Sequence, residues 1–326
     1  MSTYKIVLDA MGKDSGCATI IRGAALALKK HADLTLVLVG EEAHILRECE
    51  AEQIDMGRIE IVSATEVITN DCDPVSAIFQ KRDSSLVKAL IYAGEHEDTV
   101  GIVNAGNTGA LVVGSARYLT AKTKKRPMLA AILPKESGGY VCLCDTGATV
   151  DCTPEMLLQF AKESSAFMKK MYGIESPGVA LLSNGAEETK GNKLVKESFP
   201  LLRACKEIRF VGNVEGSDAL SGKCDVVVCD GFAGNQVLKV TEGTARRLIR
   251  DIVKMAKETK NKEYMSLAEK LMAKYDFNSL GGAIILGTSV PIIKAHGRAN
   301  EQSIISCISM LLNFAKNNSV YETIVE

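Results

Sequence analysis

Apolar residues along the chain fall into short uninterrupted runs: Ile6 to Leu8, Leu34 to Val39, Ile59 to Val62, Val100 to Val103, Leu129 to Leu133, Val141 to Cys144, Val179 to Leu182 and Val226 to Cys229. Runs that are continuous rather than alternating suit strands covered on both faces. Between many of them apolar positions return with helical spacing, as from Thr19 to His31, Pro154 to Tyr172 and Gln236 to Glu258. Strand, helix and strand in succession predict an α/β fold, a largely parallel sheet with helices on both sides. Thr153-Pro154-Glu155 marks one helix start, because Thr caps and Pro suits the first helical position. Without a low-complexity linker, repeat or Pro/Ser-rich hinge, residues 1–326 read as a single domain, with room for two intertwined lobes sharing a sheet.

Composition narrows the class of protein. Hydrophobic residues make up 46% and charged residues 24% of 326 positions, which argues against disorder. The net charge of -1 offers no field for a polyanion, and without a long basic stripe nucleic acid is not an expected partner. No apolar stretch approaches the roughly 20 residues of a membrane-spanning helix. The start, Tyr4 to Asp9, reads as a first strand rather than an export signal, so the expected location is cytoplasmic, with surface attachment to a membrane left open. The ten cysteines are scattered, without a C-x-x-C pair or a His-Cys cluster; they read as reduced core thiols, and no metal site is expected.

Polar residues gather where the runs end. Asp9-Ala10-Met11-Gly12-Lys13-Asp14 follows the first run, and Asn104 to Ala110 (NAGNTGA) the fourth. Further groups are Cys144 to Cys152, Ser183 to Asn192, Gly212-Asn213-Val214-Glu215-Gly216, Asp230-Gly231-Phe232-Ala233-Gly234-Asn235, and the stretch from Gly281 to Asn300 that contains His296-Gly297-Arg298. In an open parallel sheet ligands sit beyond the carboxyl ends of the strands. Glycine lets backbone approach an anion there, and Asn or Thr at a helix start turns donors toward it. Any one such loop is equally a turn with a helix cap; together they point to a phosphate cradle. Asn107-Thr108, with Gly109, and Lys190 beside Gly191 and Asn192 are its strongest parts. The common nucleotide, dinucleotide, zinc and nucleophile-elbow motifs are missing from the sequence. Of four histidines, His296 alone lies in a Gly-rich loop, where lining a site and packing a turn are both open readings.

These segments resemble the phosphate acyltransferases of bacterial phospholipid synthesis, which convert acyl-carrier-protein thioesters and phosphate into acyl phosphates. The matching stretches run in order over nearly the whole chain: Asp9 to Gly12, Ala105 to Ala110, Asp151-Cys152, Lys190 to Asn192, Gly212 to Gly216, Asp230 to Phe232 with Gly234-Asn235, Leu238-Lys239, Glu242-Gly243, and Gly281 to Ala283 with His296-Gly297. The resemblance implies a three-layer α/β/α fold akin to the isocitrate and isopropylmalate dehydrogenases and to phosphotransacetylases. It also implies a homodimer, no cofactor, acyl carrier protein and inorganic phosphate as partners, an acyl phosphate product, and peripheral contact with the membrane. The chain departs from the family in three places. Its first loop has Lys13, Ser15, Gly16 and Cys17 where members carry a second Gly followed by His and Pro. Asp145-Thr146-Gly147-Ala148-Thr149 stands for Asp-Val-Gly-Ala-Asn, and Ser183-Asn184-Gly185-Ala186 for Asn-Ile-Gly-Glu.

Phosphate is already an oxygen nucleophile near neutral pH, so such a site must position it and stabilise a developing oxyanion. Lys190 is the expected cation. Asp230 would orient Lys190 or accept a proton from monoanionic phosphate, or else simply cap a helix, and Asn235 would add a neutral donor. Asp9, Gly12, Asn107, Thr108, Gly109, Gly185, Asn192, Asn213, Glu215 and His296 are the expected phosphate- and substrate-binding residues. The segment Thr244 to Asp276 sets Leu248, Ile252, Met265, Leu271 and Met272 at helical spacings among Arg246, Arg247, Arg250, Lys254, Lys257 and Lys262. Packing, a dimer contact and, by the resemblance, a lipid surface are its candidate uses; these bases and Lys122, Lys124, Lys125 and Arg126 also suit an acidic carrier protein. Rival readings are a short-chain phosphotransacetylase, a metal- and NAD(P)-dependent dehydrogenase using Asp145, Asp151 and Asp230, and a non-catalytic lipid-responsive scaffold.

Overall fold

The computed structural model describes residues 3–12, 16–275, 282–297 and 299–316. Lys13, Asp14, Ser15, Asp276, Gly281 and Arg298, singled out above, lie outside the described residues. In chain order the elements are β1 (Tyr4–Asp9), α1 (Cys17–Lys30), β2 (Leu34–Gly40), α2 (Glu42–Ala51), β3 (Ile59–Ser63), α3 (Pro74–Gln80), α4 (Ser85–Glu95), β4 (Thr99–Asn104), α5 (Thr108–Tyr118), β5 (Met128–Pro134) and β6 (Tyr140–Cys144). They continue as α6 (Pro154–Tyr172), β7 (Gly178–Ser183), α7 (Lys193–Ala204), β8 (Arg209–Glu215), β9 (Val226–Val228), α8 (Gly231–Thr259), α9 (Lys262–Lys274), β10 (Ala283–Leu286), β11 (Ile292–Lys294) and α10 (Glu301–Lys316).

The chain divides into two compact units, Met1–Ala130 with Lys169–Ile174 and Asn278–Glu326, and Ala131–Met168 with Glu175–Phe277. In the first unit the strand order is β3-β2-β1-β4-β11-β10. The ladders from β3 through β11 are parallel, and β10 runs antiparallel to β11. Helices α1 and α10 pack together, as do α4 and α5. In the second unit β6, β9, β7 and β8 form parallel ladders in that order. Strand β5 passes from one unit to the other: Met128 to Ala130 pair with β10, and Ala131 to Pro134 pair antiparallel with β6.

Every anticipated run forms a strand, and the reason is visible in burial: Ile6, Val7, Leu8, Val37, Val141, Val179 and Val226 are fully enclosed. In the second unit one sheet face, with Leu133, Val141, Leu143, Ala180 and Val227, packs on Leu238 and the neighbouring Ala233 and Val237 of α8. Cys144, the next residue after Leu143, meets Ser164 of α6 instead, so alternation places the two helices on opposite faces. Segment Gly212–Gly216, expected as a strand-end loop, is a correction. Gly212 to Glu215 belong to β8, the edge strand. The register of β7 against β8 slips at Val211, where Gly212 takes φ 98°, a β-bulge that glycine accommodates. A half-exposed strand carrying Arg, Gly, Asn and Glu lacks the apolar run that betrays the others.

Candidate functional site

The expected site residues divide between the units. Asp9, Gly12, Asn107, Thr108, Gly109 and His296 lie in the first. Asp9 ends β1 buried, its Oδ1 accepting the amides of Met11 at 3.1 Å and Gly12 at 3.2 Å, while Oδ2 accepts Asn104 Nδ2 at 2.7 Å. Burial pushes the Asp9 carboxyl up from its ordinary value, against the pull of those donors. Asn104 Oδ1 in turn accepts the Gly106 amide at 2.9 Å, tying the loop after β4 to the loop after β1. The two backbones touch so closely that a Cβ on Gly106 would stand 2.8 Å from the Gly12 carbonyl oxygen.

Asn107 caps α5, its Oδ1 accepting the Ala110 amide at 2.9 Å, and its Nδ2 donates to the carbonyls of Thr69 at 3.0 Å and Cys72 at 3.4 Å. That side chain is therefore committed to holding the 69–72 loop, and what α5 offers an anion is its first-turn amides and the half-buried Thr108 hydroxyl. Gly109 sits under Pro74, where a Cβ would come within 2.7 Å of the ring. His296 follows β11, and its carbonyl accepts the Ala299 amide at 2.8 Å. Lys294, two residues earlier, is a buried cation paired in register with Asn104 and was not anticipated; its trace in the sequence is a lysine closing an apolar run.

Gly185, Lys190, Asn192, Asn213, Glu215, Asp230 and Asn235 lie in the second unit. Beyond the carboxyl end of β7 the chain folds back on itself: Asn184 Oδ1 accepts the Gly191 amide at 2.8 Å, and Asn213 Nδ2 donates to the Glu187 carbonyl at 2.9 Å. Asn192 caps α7 through the Val195 amide at 2.9 Å. The stem of Lys190 lies across Gly185, whose Cβ would be 2.6 Å from Lys190 Cγ. Lys190 is exposed and forms no ion pair with any described residue. Ser183 Oγ and Asn213 Oδ1 are buried without a hydrogen-bond partner among the described residues. Glu215 is exposed at the end of β8.

Asp230 caps α8, Oδ1 accepting the Ala233 amide at 2.8 Å, and makes no ion pair with Lys190. Of the roles left open for Asp230, the helix cap is the one its Oδ1 fills. The α8 start is pressed onto the turn after β6. Asp145 there accepts the amides of Gly147 at 3.1 Å, Ala148 at 3.0 Å and Thr149 at 2.6 Å, and a Cβ on Gly234 would lie 2.0 Å from the Asp145 carbonyl oxygen. Asn235 flanks the same turn beside Gly147. Asp145, Asp151 and Asp230 do not form the cluster a dehydrogenase would need; no metal-holding group of three or more such residues occurs among the described residues.

A cleft of about 560 Å³ opens where β7 and β9 end. Its lining joins Leu157 of α6, Leu181 to Asn184, Gly191, Asn192, Leu194 and Val195 at the α7 start, and Cys229, Asp230, Ala233 and Val237. Three features therefore meet at one place in this unit: the N-termini of α7 and α8 with their first-turn amides, the 184–192 loop that carries Lys190, and an apolar hollow.

This architecture is shared with the phosphotransacetylases. The enzyme of Streptococcus pyogenes superposes with a TM-score of 0.65 over 97% of this chain and 95% of its own, at 14% identity. The EutD phosphotransacetylase of Staphylococcus aureus gives 0.61 over 97% and 94%, at 16% identity. The chain therefore has the fold of these phosphotransacetylases. Residues 4–321 match the family model described as fatty acid synthesis protein. The phosphate acyltransferase of Caldicellulosiruptor saccharolyticus is 40% identical over 323 residues, 96% of this chain and 95% of that one, and that of Halothermothrix orenii 39% over 97% and 96%. The chain belongs to this family of enzymes, the phosphate acyltransferases.

Proposed function

We propose that the protein transfers a long-chain acyl group from acyl carrier protein to inorganic phosphate, yielding acyl phosphate and free carrier protein for phosphatidic acid and phospholipid synthesis. The observation that carries this reading is the full-length match at 40% identity to a phosphate acyltransferase. A phosphate oxygen attacks the thioester carbonyl, forming the C–O bond; collapse of the tetrahedral oxyanion breaks the C–S bond and expels a thiolate whose ordinary pKa of about 8.5 makes acid assistance unnecessary. Two anions approach one carbon, so the site needs positive charge and fixed donors. Lys190, without a carboxylate partner among the described residues, supplies the charge. Within the same unit, first-turn amides of α7 and α8 and Asn235 supply donors, and Asp230 takes the proton when phosphate enters as its monoanion.

The exposed apolar side chains of α8 and α9 support two further parts of this reading, a homodimer and peripheral contact with the membrane. Between Thr244 and Lys274 only Ala256 and Ala268 are buried, whereas Leu248 is 57% and Met255 50% exposed. No helix among the described residues is long and apolar enough to cross a membrane, so any membrane contact is made at the surface.

The test supplies long-chain acyl carrier protein, acyl coenzyme A or acetyl coenzyme A with and without phosphate, and traps acyl phosphate with hydroxylamine. Phosphate-dependent hydroxamate from the long-chain carrier is expected, and Lys190→Met should lower its rate at least about 100-fold, the scale of losing one charge-stabilising group, at unchanged thermal midpoint. Hydroxamate from the acetyl donor alone would favour a short-chain phosphotransacetylase.

A further inference from the structure

We infer that the cleft at the carboxyl ends of β7 and β9 is the acyl-chain site and that its α7 wall sets chain length, an inference that rests on the acyl transfer proposed above. The lining sorts by depth and chemistry. Leu157 and Leu181 are fully enclosed and Cys229 is 3% exposed, giving an apolar floor. Leu182, Leu194, Ala233 and Val237 are half-buried and form apolar walls. Asn184 and Asn192 are exposed at the rim, and Asp230 is half-buried beside them.

This distribution selects among the parts of an acyl thioester. A phosphopantetheine arm carries amides and a phosphate, and burying these against leucine and valine would leave their hydrogen bonds unmade. An alkyl chain has no such groups and gains with each methylene removed from water. The floor thiol does not compete as a nucleophile, because burial holds Cys229 well above its ordinary pKa. The polar rim carries the helix starts and the loop bearing Lys190, so a chain lying in the hollow leaves its carbonyl among the donors assigned to phosphate and oxyanion. About 560 Å³ lies within the range of sites that enclose a ligand of drug size.

Leu194 is the position to vary, since it lines the wall from α7 without belonging to the sheet-face core. Leu194→Phe narrows the hollow and Leu194→Ala widens it. With thioesters from butanoyl to octadecanoyl, the preferred chain should shorten in the first variant and lengthen in the second, moving the long-to-short rate ratio at least about tenfold each way, as a few methylenes in an apolar pocket do. A change in opposite directions is not produced by general loosening of the fold. Binding of a conjugated polyenoic fatty acid, followed by its fluorescence, needs no turnover; Leu194→Phe should weaken it at least about tenfold, and hexadecanoate but not butanoate should displace it. If Leu194→Phe unfolds, Val237→Phe narrows the same hollow from α8. Wild-type length profiles and probe affinities in the folded variants would overturn the inference. An enzyme without phosphate-dependent product that still binds the probe through Leu194 would instead refute the acyl transfer and keep the chain site.

Discussion

At the scale of single residues, the second unit is held by charges placed where water scarcely reaches. The Asp225 carboxylate accepts from Lys135 at 2.8 Å and from the Gly178 amide at 2.7 Å, with Arg209 at 3.6 Å. Burial raises its pKa, but the bonds from Lys135 and Gly178 outweigh this and leave it below its ordinary value. Stability from this group is therefore complete above the unfolded value of about 3.9 and is lost as acid protonates it. Asp225→Ala strands a largely buried ammonium and should cost about 3 kcal/mol in chemical denaturation at neutral pH, with the difference from wild type shrinking in acid. A difference independent of pH would contradict this. The thiols divide in the same way. Hydrogen bonding from Thr69 lowers Cys72, while burial lifts Cys224 to about 11 and Cys17 and Cys307 to about 12. Iodoacetamide at mildly alkaline pH should label Cys72 before these others, as peptide mapping would record. Equal labelling would remove the distinction.

Helix starts and strand ends carry what the sequence makes legible at the scale of elements. Continuous runs found the enclosed strands because burial on both faces forces apolar residues at every position. The same rule missed β8, whose outer side is open, and the short β10 and β11, whose runs are separated by a Gly-Thr-Ser turn. The Asp230 to Asn235 stretch was legible as a site motif, but its glycines have a packing cause invisible in sequence: the α8 start touches the Asp145 turn. Gly234→Ala should thus displace that start and cost about 2 kcal/mol or more, in the range of overpacked interiors, whereas Gly243→Ala, with open space around it, should not destabilise. Thermal melts of the two variants test this. On α8 and α9 the periodicity read as a basic and apolar pair; Leu248→Glu with Met255→Glu should change folding stability by less than about 0.5 kcal/mol per site. The same double variant should abolish self-association in sedimentation. Unchanged self-association would remove this face from any dimer.

For the molecule as a whole, the expected site residues fall into two compact units, and in each they gather on strand-end loops far apart in sequence. Order and residue type in those loops identified the family. They left capping and anion binding as open alternatives for Asn107 and Asp230, because a cap and an anion ligand require the same residue types at the same position. Neither disclosed the apolar hollow, which is assembled from single leucines and valines of α6, β7, α7 and α8 with no shared spacing. Direct transfer to phosphate is tested most simply by following phosphorus with NMR while the wild-type protein acts on long-chain acyl carrier protein and inorganic phosphate. A new acyl phosphate resonance, growing as free phosphate falls and lost with Lys190→Met, is the expected result. Thioester consumption that leaves the phosphate signal unchanged would mean that water, not phosphate, receives the acyl group.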